Sequence, residues 1–130
     1  MNTTSRMLRV LLVEDDDATR TMYRLKFELE GFDVLEAGDG RGGIHLVTSA
    51  RPDLAFLDIN LPDIDGIAVL RAIRARPATA ELPVVILTNL DDGDIRATAL
   101  DLGIRDWIVK SETLPGVIAE KIPAWVFGAK

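Results

Sequence analysis

Asp58 follows the apolar run Leu54-Ala55-Phe56-Leu57 and precedes Ile59. Its carboxylate is therefore expected to be partly buried, and an unpaired buried carboxylate is costly. Three other polar groups stand in comparable places, each just after a short apolar run. Glu14, Asp15, Asp16 and Asp17 follow Leu8 to Val13, Thr88 follows Val84 to Leu87, and Lys110 follows Trp107 to Val109. Carboxylates brought together raise one another's pKa unless a cation binds. A hard divalent ion resolves that conflict, since Mg²⁺ takes one or two carboxylates, several waters and a phosphate oxygen. Lys110 could neutralise remaining charge, and Thr88 could hydrogen-bond a phosphate oxygen. An ionised Asp58 needs no general base to attack phosphorus and form an acyl phosphate. Phosphoryl transfer asks of a protein mainly positioning and charge stabilisation. Singly, each group has a plainer role: Asp16 or Asp17 as a helix cap, Thr88 as a cap, Lys110 as a solvated charge. The chemistry depends on their convergence.

The elements that would bring them together follow from periodicity. Leu8–Val13, Leu54–Leu57 and Val84–Leu87 are runs of strand length suited to a parallel sheet covered on both faces. Asp33–Ala37 and Trp107–Val109 are two further strands. Between them lies helical spacing. Ala18, Met22, Leu25 and Leu29 form one stripe, with Gly31 placed as a C′ residue. Ile67, Leu70 and Ile73 form another, closed by Pro77. Ile95, Ala99 and Leu102 form a third, opened by Asp91, Asp92 and Asp94 and ended by Gly103. Arg41 to Ser49 is a weaker helix because of Gly42 and Gly43, and Gly38 to Gly43 is expected to be a turn. Gly116 to Ile122 is the last helix, with Pro115 near its start and Pro123 breaking or kinking it. Repetition of β-α five times gives an α/β fold with an open parallel sheet and helices on both faces. Ligands of such sheets bind beyond the carboxyl ends of the strands, where all the groups above are found.

The totals narrow the classes. The 130 residues suit one domain, with residues 1–6 a polar, flexible lead-in, 7–127 the domain and 128–130 a tail. No cysteine is present, so disulfides and thiolate chemistry are excluded. A net charge of −6 argues against a nucleic-acid or anionic-membrane surface within these residues. No apolar run is long enough to span a membrane, and a cytoplasmic protein is expected. His45 is the sole histidine, without a partner for metal or triad chemistry.

With these residues in view, the chain resembles the receiver domain of two-component response regulators, the CheY type. Leu11 to Asp16 looks like that family's acidic first-strand motif. Pro52 to Gly66 is similar to its phosphorylation-site block almost residue for residue. Pro83 to Thr88 and Asp106 to Lys110 match its threonine and lysine strands. The resemblance implies a flavodoxin-like five-stranded parallel sheet in the order 2-1-3-4-5. It also implies that Asp58 takes a phosphoryl group from a histidine kinase or a histidine phosphotransfer protein, with Mg²⁺ or Mn²⁺. Asp15 would bind the ion directly, Glu14 partly through water, Asp58 by its carboxylate and Asn60 through its carbonyl. Thr88 and Lys110 would hold phosphoryl oxygens, and Trp107 sits where the family keeps a switch aromatic.

Two positions depart from the pattern. Ser111 follows Lys110 where the family usually has proline after a cis bond; without proline the bond is either trans or a strained cis. Asn89 follows Thr88 where a small residue is usual, and either crowds the phosphoryl group or hydrogen-bonds near it. Asn60 and Leu90 occupy positions that tune phosphate lifetime, and an apolar Leu90 suggests a longer one. Ala124 to Phe127 forms an apolar cluster, either packed on the domain or a contact surface for a downstream protein or a second copy in a homodimer. A native length of 130 residues would make this a single-domain regulator or phosphorelay shuttle. Three other classes compete: a pseudo-receiver with an inert site, a haloacid-dehalogenase-type phosphatase, and a flavin or nucleotide binder. The phosphatase would require an acid at position 60, where Asn60 stands. The binder would have to use Gly38 to Gly43, which lacks the phosphate-loop lysine and the dinucleotide spacing.

Overall fold

A computed structural model describes residues 7–128. The expected lead-in at residues 1–6 and the last two tail residues lie outside the described part. Five strands alternate with five helices: β1 (Arg9–Val13), α1 (Asp17–Leu29), β2 (Asp33–Ala37), α2 (Gly40–Ala50), β3 (Leu54–Leu57), α3 (Gly66–Ala75), β4 (Val84–Thr88), α4 (Gly93–Asp101), β5 (Asp106–Val109) and α5 (Pro115–Phe127). A single 3-10 turn, Lys110–Glu112, lies between β5 and α5. The strands are parallel, in the order 2-1-3-4-5, as the resemblance implies.

Strand side chains alternate between the two faces, so each apolar run feeds two cores. Leu11, Val13, Ala55, Leu57, Val84 and Ile86 pack with Val47 of α2, Leu70 and Ile73 of α3 and Ala99 of α4. Val10, Leu12, Leu54, Phe56, Val85 and Leu87 pack with Tyr23 and Phe27 of α1 and Ile118, Ile122 and Trp125 of α5. This double burial is why β1, β3 and β4 are continuously apolar.

Register places the chemistry. Val13 lies beside Leu57, Leu57 beside Ile86, and Thr88 beside Val109. The residues that follow, Glu14, Asp58 and Lys110, therefore emerge together at the carboxyl edge. Four helices start at that edge with an Asp N-cap. Asp16 accepts from Thr19 N at 2.8 Å, Asp39 from Gly42 N at 2.7 Å, Asp65 from Ala68 N at 2.9 Å, and Asp92 from Ile95 N at 3.1 Å. Of the acidic run after β1, Asp16 thus serves as a cap, one of the two roles open to it.

Three local expectations are corrected. The stripe Ala18, Met22, Leu25 and Leu29 faces solvent, with Leu29 81% exposed, while Tyr23 and Phe27 are buried. Each aromatic buries about 150–250 Å², and the Phe27 ring stacks on Phe56 at 5.2 Å. Gly40 to Gly43 form the first turn of α2 instead of a loop; a Cβ at Gly43 would lie 2.9 Å from Val13 Cγ2, so the glycine lets the helix sit close to β1. Pro123 does not break α5, which continues to Phe127. Proline inside a helix costs about 3 kcal/mol. Burial of Ile122 and of Trp125, whose ring meets Phe56 edge-on at 6.0 Å, offsets it, because a buried aromatic alone removes about 150–250 Å² from water. The apolar cluster after Pro123 is accordingly divided, with Trp125 packed inside and Phe127 exposed.

Candidate functional site

Lys110 is the hub of the carboxyl edge. Its ammonium donates to Asp58 Oδ2 at 2.7 Å and to Glu14 Oε1 in a short contact. Both acids are almost fully buried, Glu14 at 3% and Asp58 at 5% exposure. Oxygens of Glu14, Asp15 and Asp58 lie within 4.8 Å of one another. Three carboxylates thus face one ammonium, leaving a formal excess of negative charge. Burial pushes the Glu14 carboxyl up, and the hydrogen bonds from Lys110 and from the Asp16 N–H only partly offset it, so it stays above its ordinary value. Burial pulls the Lys110 ammonium down, yet its bonds to Asp58 and Glu14 outweigh this and hold it above the usual lysine range. A pocket of hard oxygen donors with surplus negative charge suits Mg²⁺ or Mn²⁺.

Neighbouring groups fix the pocket walls. Asp58 Oδ1 accepts from Asn60 N at 3.2 Å, and the Asp58 N–H donates to Val13 O at 3.2 Å, tying β3 to β1. Gly66 packs on the same segment: a Cβ there would lie 2.3 Å from the Asp58 carbonyl oxygen, so only glycine lets α3 start so close. Thr88 is fully buried, and its Oγ1 accepts from Leu90 N at 3.2 Å. Asn89 Oδ1 accepts from the Ser111 N–H at 2.9 Å. No cis peptide bond occurs among the described residues, so the Lys110–Ser111 bond is trans. Leu90 is half-buried against the core of the α2–α3–α4 face. Trp107 is buried in that core, and its indole Nε1 has no hydrogen-bond partner.

Sequence reasoning missed two supports. Arg20 donates from Nη1 to the Glu14 carbonyl at 2.8 Å and from Nη2 to Asp17 at 2.8 Å, bracing the acidic loop from α1. Asp63 accepts from the N–H groups of Gly40 at 2.8 Å and Arg41 at 2.9 Å, so the loop after Asp58 is fastened to the N-terminus of α2. Partial desolvation pushes Asp63 up, but these N–H donors outweigh it and hold its pKa at about 2. A helix N-terminus favours a carboxylate; the sequence shows no local signal for a cap supplied 23 residues away.

The fold and this edge define a class before any particular relative is considered: doubly wound domains with an acidic pocket beyond strands 1 and 3. Solved structures agree. A CheY-like response regulator receiver domain protein from Methanospirillum hungatei superposes with a TM-score of 0.85 at 27% identity, over 95% of this chain and 96% of that one. The BeF3-activated N-terminal receiver domain of Klebsiella pneumoniae RstA superposes at 0.81 and 29% identity, over 91% and 97%. Residues 10–120 match the response regulator receiver domain family, and the chain belongs to it. It is a receiver domain of two-component signalling. The transcriptional regulatory protein AfsQ1 of Streptomyces coelicolor is 41% identical over 104 residues, 80% of this chain and 45% of that protein. PrrA of Mycobacterium bovis is 37% identical over 114 residues, 88% and 46%. The chain therefore spans under half the length of these curated relatives. Among the described residues, no helix is long and apolar enough to cross a membrane.

Proposed function

We propose that Asp58 is a phosphoacceptor, charged by a histidine kinase or a histidine phosphotransfer protein, and that the resulting acyl phosphate changes the shape the domain presents to a downstream protein. The observation that carries this reading is the Lys110 ammonium held between Asp58 and Glu14. An Asp58 oxygen attacks phosphorus, the O–P bond forms, and the donor's bond to phosphorus breaks with its electron pair leaving on the donor. The negative charge of Asp58 then moves onto the phosphoryl oxygens, and Lys110, 2.7 Å from Oδ2, is in place to follow it. Thr88, buried at the end of β4, accepts from Leu90 N through a lone pair, which leaves its O–H proton to donate to a phosphoryl oxygen. Glu14, Asp15, Asp58 and the Asn60 carbonyl would hold Mg²⁺, which when bound neutralises phosphoryl oxygen charge. The buried Trp107 is the aromatic whose packing responds to Thr88.

Incubation with Mg²⁺ and acetyl phosphate is expected to add one phosphoryl mass to the wild type and none to Asp58→Asn. Equal labelling of both proteins would refute the assignment. The BeF3-activated state of the RstA receiver domain makes beryllofluoride a suitable second probe.

A further inference from the structure

We infer that Asn89 is a positioning residue for Lys110, acting through the backbone N–H of Ser111. The β4–β5 ladder ends at the pair Thr88 and Val109. Beyond that pair the two chains part, β4 into the loop before α4 and β5 into the 3-10 turn that begins with Lys110. The Asn89 carboxamide crosses this gap, accepting from the Ser111 N–H at 2.9 Å. It adds one side-chain rung past the last backbone rung, and Lys110 is enclosed between the two.

The placement matters because of what Lys110 must do. Its ammonium is a point charge on a flexible four-carbon stem, so the head is only as well placed as the backbone that carries it. On the carboxyl side of Lys110, its carbonyl accepts a long 3.5 Å bond from Thr113 N within the 3-10 turn. Asn89 is itself held: Thr88 Oγ1 accepts from Leu90 N at 3.2 Å and closes a tight turn around it. The end of β4 therefore fixes the entry of Lys110 into the pocket through one carboxamide. Both Asn89 and Ser111 are exposed at the rim, so their bond can be removed without emptying the core.

The inference rests on the phosphoacceptor reading of Asp58, and its test separates the two. In the full chain, Asn89→Ala removes the acceptor, Asn89→Leu removes it while keeping the bulk, and Asn89→Asp keeps an acceptor oxygen. Two readouts come from NMR: hydrogen exchange at the Ser111 amide and the ammonium resonance of Lys110. Asn89→Ala and Asn89→Leu are expected to speed Ser111 exchange about tenfold, since a lost bond of about 1.4 kcal/mol is a factor of ten. Both should shift or broaden the Lys110 ammonium signal, and Asn89→Asp should restore Ser111 protection. With acetyl phosphate, the maximal phosphorylation rate should fall about tenfold to a hundredfold in the Ala and Leu variants, with half-saturating donor and Mg²⁺ concentrations unchanged. Unchanged Ser111 exchange, an unchanged Lys110 signal, or wild-type phosphorylation in Asn89→Leu would each overturn the inference. A wild type that takes no phosphoryl group would sink the phosphoacceptor reading alone, and the NMR readouts would still decide the role of Asn89.

Discussion

The two ends of the sheet treat charge in opposite ways. At the amino end, Arg9 and Arg74 each meet acceptors that answer them. Arg9 pairs with Asp33 at 3.0 Å and donates to the Ala50 carbonyl at 3.2 Å, while its backbone N–H is capped by Asp53 at 2.8 Å. Arg74 distributes its guanidinium over the carbonyls of Leu102, Leu82 and Gly103 at 2.7, 2.9 and 3.1 Å. At the carboxyl end, one ammonium serves two buried carboxylates with a third close by. These bonds at the amino end serve stability. The carboxyl end keeps an excess of negative charge, which a bound divalent cation would offset.

The sharpest test of that contrast exchanges a cation at each end for methionine. Lys110→Met is expected to slow phosphorylation by acetyl phosphate about a hundredfold to a thousandfold, the scale on which one charge-stabilising donor acts. Arg74→Met should leave that rate unchanged and lower unfolding stability by about 1–3 kcal/mol, because three carbonyls lose their donor; urea melts measure it. Equal slowing by both variants would erase the distinction between the ends.

A smaller effect probes the loop that joins the site to α2. Asp63 has an ordinary value of 3.8 and is held at about 2 in the fold. Its pKa is depressed, so its contribution to stability is full above the unfolded value and is lost as pH falls through about 4 toward 2. The stability difference between wild type and Asp63→Ala should be constant near neutrality and shrink across that acid window. A difference that is flat down to pH 2 would show that the carboxylate charge is irrelevant to the cap. Smallest of all, Leu25→Ala on the solvent face of α1 should change stability by less than about 0.5 kcal/mol, although it lies in an apolar row. A loss of several kcal/mol would mean that this face is covered in the protein studied.

That last case shows where the sequence was legible and where it was not. Strands β1, β3 and β4 could be read because both faces of each are buried, which leaves an unbroken apolar signature. The convergence of Glu14, Asp15, Asp58 and Lys110 could be read because parallel topology brings strand ends together. Helix α1 carries two rows at helical spacing, one aliphatic and one built on Tyr23 and Phe27, and periodicity does not rank them. The break at Pro123, one of the two outcomes expected there, does not occur, because its local cost is visible in sequence while the packing of Ile122 and Trp125 that offsets it is tertiary. The bonds from Arg20 to Glu14, from Gly40 to Asp63 and from Ser111 to Asn89 join residues through space, with no local pattern to announce them.

The role proposed for the carboxyl end depends on the carboxylate of Asp58 becoming an acyl phosphate. Borohydride reduces an aspartyl phosphate to homoserine, and tandem mass spectrometry locates the product in the chain. After treatment with acetyl phosphate and Mg²⁺, homoserine is expected at position 58 and nowhere else. Homoserine at position 15 or 65, or none in protein that has gained a phosphoryl mass, would contradict the assignment.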